Sequence, residues 1–246
     1  MDKSLYVAMT GAKEILQAQA VNNYNLANAN TTGFKANLSA FQSQAVVGSG
    51  YASRVYATNA TTGWDGSEGS ITATGRPLDV AVQGQGYIAV QGPNGQEAYT
   101  RNGDLSLTPS GMLVTSSGQP VLGDDGPITL PPSDSIKIGD DGTVSVVPQG
   151  STPGTVANVG RIKLVNPPAD SLVRESGGLF QLAAGGTAPA DASVKIASGS
   201  LESSNVDLAS AMVNMIDLAR NFDLQVKAMK SADDNAQSSS QLLQST

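Results

Sequence analysis

The sequence predicts a mainly β protein with one long α-helix at each end. Three observations predict it. Both termini carry apolar or small residues at a 3.5-residue spacing, the period of a helix that packs along another helix. Between them lie many short β-type runs separated by turn residues. A stretch rich in Ser, Ala, Thr, Asn and Gly, with neither period, separates the first helix from those runs.

The N-terminal stripe is Leu5, Met9, Ala12, Leu16, Gln19, Asn23 and Leu26. It starts apolar and becomes polar. Thr31-Thr32-Gly33 is expected to end the helix, with Gly33 in the left-handed conformation of a helix cap. Asn22, Asn23, Asn25, Asn28 and Asn30 are dense for a helix, since Asn competes for backbone hydrogen bonds. They read either as a fraying last turn or as a polar flank that bonds to neighbouring subunits.

Residues 36–75 read as an extended linker, with Phe34–Leu38 a short continuation ending near Val47 and with Tyr51, Val55, Tyr56 and Trp64 as its anchors. Residues 76–198 read as an antiparallel all-β domain, a sandwich or barrel. Leu78, Val80 and Val82 alternate with polar or small residues, and Tyr87–Val90 follows the break Gly84-Gln85-Gly86. Gly92-Pro93-Asn94-Gly95 signals a hairpin. Further strands are expected near residues 98–101, 105–107, 112–114, 121–122, 128–130, 136–138, 144–146, 159–165, 179–182 and 194–196, with a loop over Pro148–Pro153.

Residues 199–246 hold the second helix. Leu208, Met212, Met215, Ala219, Phe222, Val226 and Met229 keep the same spacing, which continues through Asp233, Ala236 and Ser240 to Leu243. Ser204 and Asn205 are candidate N-caps, and Asp207 places negative charge in the first turn. No Pro or Gly interrupts Val206–Leu243, so the rod is roughly 57 Å long. Half-polar stripes at both ends cannot bury much surface alone. They predict that the terminal helices 1–35 and 199–246 pair in a coiled-coil-like domain and are completed by other molecules.

Composition narrows the function. With 246 residues and a net charge of −7, the chain has no basic patch for nucleic acid or an anionic membrane. No apolar run is long enough to span a bilayer, and Met1-Asp2-Lys3-Ser4 lacks the features of a cleaved secretory signal. Cysteine is absent, which suits a cytosolic protein or one exported without oxidative folding. Histidine is also absent. That removes the commonest general base, the commonest metal ligand and every Ser-His or Cys-His nucleophile. Asp124-Asp125-Gly126 and Asp140-Asp141-Gly142 fit tight turns between strands and not an EF-hand loop. Gly84-Gln85-Gly86 lacks the third glycine of a dinucleotide fingerprint and runs into a strand. Arg76 beside Asp79, and Arg101 beside Asp104, read as interface ion pairs or as solvated charge. No catalytic residue, metal or cofactor is expected.

One long motif is more specific. Asn25-Leu26-Ala27-Asn28-Ala29-Asn30-Thr31-Thr32-Gly33-Phe34-Lys35 resembles the signature of bacterial flagellar rod and hook axial proteins. The resemblance extends through residues 76–87, Tyr99–Gly103, Gly199–Val206 and Met215–Phe222. Leu5–Ala12 and Gly126-Pro127-Ile128 are most similar to the proximal-rod branch, with distal-rod and hook members as the alternative; residues 44–70 and 148–195 match weakly. The resemblance implies a self-assembling structural subunit whose terminal helices form an axial core domain (D0) in an inner tube, with the β domain outside. It implies copies of itself and neighbouring rod proteins as partners. It also implies passage through the flagellar type III export apparatus, and a place in the basal body, in the periplasmic space. The assembly interface expected from the stripes and the motif is Leu5, Met9, Leu16, Asn23, Leu26, Asn28, Phe34, Met212, Met215, Ala219, Phe222, Val226 and Met229. A secreted adhesin or carbohydrate-binding module, and a cell-wall hydrolase, are the readings from other classes.

Overall fold

The computed structural model describes residues 4–45, 55–150 and 155–244. The anchor expected at Tyr51, the ending near Val47 and the far end of the Pro148–Pro153 loop lie outside the described residues, as does the side chain of Leu243. The chain is mainly β, with one helix near each end and antiparallel strands between. It divides into two units. One holds residues 1–29, 36–65 and 206–246; the other holds residues 30–35 and 66–205.

In the first unit, helix α1 (Ser4–Ala27) packs on helix α2 (Leu208–Gln244). The packing is antiparallel: Gly11 faces the amide of Gln225, and Asn22 Nδ2 donates to the carbonyl of Ala211 at 2.8 Å. Ala12, Ile15, Ala18 and Ala211 are buried, and Met215, Leu218, Phe222, Gln225 and Met229 are half-buried. These α2 positions step by three and four residues, so the 3.5 period holds. The inward face, however, is centred on Ala211, Leu218 and Gln225, and not on Met212, Ala219 and Val226. Small side chains set that choice. Gly11, Ala12 and Ala18 let the two backbones approach, whereas the larger Met9 and Leu16 point away.

Helix α1 ends at Ala27, earlier than expected. Asn28 N–H turns back to the carbonyls of Tyr24 and Asn25, and Asn28 Nδ2 also donates to Tyr24. Asp207, and neither Ser204 nor Asn205, caps α2, accepting from the N–H groups of Ala209 and Ser210. The Ser210 hydroxyl donates to the same carboxylate and, with those N–H groups, holds the Asp207 carboxyl below its ordinary range, the hydroxyl contributing most.

The expected linker is structured. Strand β1 (Asn37–Ala45) pairs antiparallel with strand β2 (Val55–Trp64), with a bulge between Leu38 and Ser39. Asn25 starts the hairpin: its Nδ2 donates to the carbonyl of Asn37 and its Oδ1 accepts from the Asn37 N–H, at 2.9 and 2.8 Å. A helix side chain thus stands in for a strand neighbour. Asn22 and Asn25 therefore serve this chain's own packing.

The second unit is the β domain. A five-stranded antiparallel sheet runs in the order Leu164–Val165, Tyr87–Gln91, Glu97–Thr100, Phe180–Leu182, Leu172–Arg174. A three-stranded sheet holds Ser133–Ile138, Thr143–Pro148 and Ala157–Arg161. Lys195–Ser198 pairs with Val80–Gln83, and Ser200–Glu202 pairs with Ile71–Ala73. One core, including Val82, Ile88, Val90, Leu105, Leu113, Val144 and Ile196, joins the sheets. The two Asp-Asp-Gly segments are turns, with Gly126 and Gly142 at positive φ. Asp141 accepts from the Thr143 hydroxyl and N–H, which hold its carboxyl below its ordinary range. Residues 128–130 form no strand, Thr129 making one bridge to Met112, and 159–165 divides into two strands.

Candidate functional site

Two features stand out, one in each unit. In the helical unit it is an apolar flank. Met9 is 53% exposed and Met212 47%, and Leu5, Leu16, Leu208 and Val226 are exposed as well. At about 100° per residue, the α1 members lie roughly a third of a turn from the inward face. Asn23 and Ala219 share this exposure. Tyr6, Tyr24, Val213, Ile216 and Leu224 widen the exposed apolar surface. Among the described residues, no helix is long and apolar enough to cross a membrane.

The remaining expected interface residues lie elsewhere. Leu26, Met215, Phe222 and Met229 are half-buried. Asn28 is half-buried and bonded within its own turn. Phe34 is buried in the β unit, where the guanidinium of Arg174 lies 4.6 Å from its ring centroid. It is shielded by its own chain and is not a surface residue.

In the β unit the second feature is a buried ionic cluster. Lys35, Arg101 and Glu202 are each 3% exposed or less. Lys35 Nζ donates to Glu202 Oε1 at 2.7 Å and to the carbonyl of Ser67 at 2.6 Å. The same Oε1 accepts from the Gly69 N–H at 2.9 Å. Glu202 Oε2 lies 3.3 Å from Nε of Arg101, close enough for charge attraction but not aligned for a hydrogen bond. Arg101 also donates to the carbonyls of Val82 and Gly84. Burial pulls the Lys35 ammonium below its ordinary value, against the opposing pull of Glu202. Buried charges persist only where they are paired and bonded, and this cluster satisfies most of their valences.

Backbone contacts reinforce the cluster. Gly33 N–H donates to the carbonyl of Glu202, and Asn205 N–H to that of Phe34. Arg174 Nη1 donates to the carbonyl of Lys35 at 2.6 Å. Gly33 has φ 65°, and a β-carbon there would stand 2.3 Å from the Arg101 carbonyl. It does not cap α1; it lets residues 30–35 lie against the Arg101-Asn102 peptide. Sequence reading missed this cluster because its members stand up to 167 residues apart. The one available signal was that the motif segments carry Lys35, Arg101 and Glu202, one charge each.

Arg76 and Asp79 also belong to a network inside this unit. Arg76 pairs with Asp79 at 2.6 Å and with Asp104, and donates to the carbonyl of Leu105. Asp79 is buried and accepts from the Thr74 hydroxyl.

Comparison with known proteins points to one family. Residues 5–35 match the family "Flagella basal body rod protein", 81–146 the "Flagellar hook protein FlgE/F/G D1 domain", and 197–242 the "Flagellar basal body rod FlgEFG protein C-terminal". The chain is 45% identical to the flagellar basal-body rod protein FlgF of Salmonella typhimurium and 43% identical to that of Escherichia coli, each over 99% of both chains. It is 32% identical to the flagellar basal-body rod protein FlgG of Bacillus subtilis, over 95% of this chain and 96% of that one. With matches at both ends and in the β unit, and with higher identity to the FlgF proteins named here than to this FlgG, the chain belongs to the flagellar basal-body rod proteins and is FlgF-like.

Proposed function

We propose that this chain is a structural, non-catalytic subunit of the proximal flagellar rod, built in through its paired terminal helices. The observation that carries the reading is the apolar flank shared by α1 and α2, left exposed after the helices have packed on each other. Exposed apolar patches of this kind mark surfaces that another molecule covers, and copies of this chain or other rod subunits are the natural cover in a rod. The helix pair then acts as the axial core domain, coiled-coil-like in its 3.5-residue spacing. Passage through the type III export apparatus accounts for a position in the periplasmic space.

The test places one charge on each flank in turn. Met9→Asp and Met212→Asp, expressed in cells lacking the wild-type rod protein, should each abolish incorporation into basal bodies and motility. Purified variants should unfold at the wild-type midpoint, because neither side chain is buried. Electron microscopy of isolated basal bodies reads the first outcome. Wild-type incorporation of both variants would refute the assignment of this flank.

A further inference from the structure

Three separated stretches of the β unit meet at Glu202. Residues 30–35 contribute Gly33 N–H to its carbonyl and Lys35 Nζ to its carboxylate. The loop after Gly66 contributes Gly69 N–H to the same carboxylate and the Ser67 carbonyl to Lys35. Residues 199–205 contribute Glu202 itself, the Ser203 N–H on the Ser70 carbonyl, and Asn205 on both Phe34 and Ser67. Steric fit is equally close. A β-carbon at Gly69 would stand 1.9 Å from the Ser203 carbonyl oxygen. The passages between the two units, after Ala29, Lys35, Asp65 and Asn205, all fall at the ends of these stretches.

We infer that residues 30–35, 66–70 and 199–205 form one latch on the β unit, closed by Glu202 and opening as a single event. Each stretch bonds to at least one of the others through Glu202 or its immediate neighbours, so none separates without exposing a buried charge. Losing Lys35 leaves Glu202 underpaired. Losing Glu202 leaves Lys35 and Arg101 as adjacent buried cations. The cost of either is high in a low-dielectric interior, which makes partial opening unfavourable. The latch stands independently of the rod reading, since it concerns only how this chain opens.

Hydrogen exchange on the full-length wild-type chain tests it. The amides of Gly33, Gly69, Ser203 and Asn205 should exchange at one common rate with one common denaturant dependence. That rate should exceed the rate at Leu113 and Val121, whose N–H groups are bonded within the core. Rates at the four amides that differ among themselves by more than about tenfold would overturn the latch, as would rates equal to those of the core. Lys35→Met should accelerate all four amides about a hundredfold, the scale set by breaking a buried pair, and leave Leu113 and Val121 unchanged. Acceleration confined to Gly33 would overturn the proposal. If that variant does not fold, the wild-type rates still decide.

Discussion

At the scale of single residues, the most constrained position is Gly33. Its φ of 65° disfavours any L side chain, and the Arg101 carbonyl occupies the space a β-carbon needs. Gly33→Ala should lower stability by about 2 kcal/mol or more, measured as the urea midpoint of the β unit. Tyr87 and Tyr99 allow a second prediction. Burial pushes both phenols up to about 12. A group whose folded pKa is raised stabilises the fold below its unfolded pKa, and that contribution fades as pH rises through the folded one. Stability should therefore fall between pH 10 and 12. Absorbance titration should show two of the six tyrosines ionising late, with unfolding. Residue-level reading of the sequence reached the turn glycines Gly95, Gly126 and Gly142 but not the pairing of Lys35 with Glu202. Turn chemistry is local, whereas a buried ion pair between distant residues leaves no trace in spacing.

At the scale of elements, the strands of the β domain were legible because alternating apolar residues between Gly, Asn and Pro turns carry their own signal. The hairpin of β1 and β2 was not. Its side chains are half-buried at most among those described, so no alternation marks it. Its register is set by Asn25 from a neighbouring helix. Asn25→Ala should cost about 1–2 kcal/mol and loosen the start of β1, visible as faster exchange of the Asn37 amide with the core strands unaffected. The helices were legible in period and in partner but not in phase. Hydropathy favoured Met212 and Val226, while backbone proximity selected Ala211, Leu218 and Gln225 as the inward face. Each helix carries an inward stripe, with small residues on α1 and with Met215, Leu218 and Phe222 on α2, and beside it an exposed apolar one, which suits two different neighbours.

At the scale of the whole molecule, the two units differ in how much they bury. The β unit has a continuous core, and the helix pair fully buries mainly alanines and Ile15. A free subunit should therefore lose its helices to protease first. Trimming should stop near residue 30 on one side and near residue 205 on the other, because those stretches lie in the β unit. Mass spectrometry of the resistant fragment reads the boundaries. A fragment beginning well after Lys35 would contradict this partition, and one retaining all of α1 would contradict the weakness of the helix pair. The resemblance at both termini and in the β domain gave the family. The allocation of residues 30–35 to the β unit was not legible, since they continue the helical segment in sequence.

The adjacency of Phe34 to Asn205 has a consequence for how the helices find each other. About 180 residues separate α1 from α2 along the chain, and closing so long a loop in a disordered polymer is entropically expensive. Once the β unit has folded, the stretches that lead to α1 and to α2 are held together at the Phe34–Asn205 contact, and the effective tether shrinks to a few residues per side. The saving is about 2–3 kcal/mol by loop-length scaling, comparable to one good packing contact. The β unit thus acts as a preformed hairpin bend, and the helix pair should zip only after that bend exists.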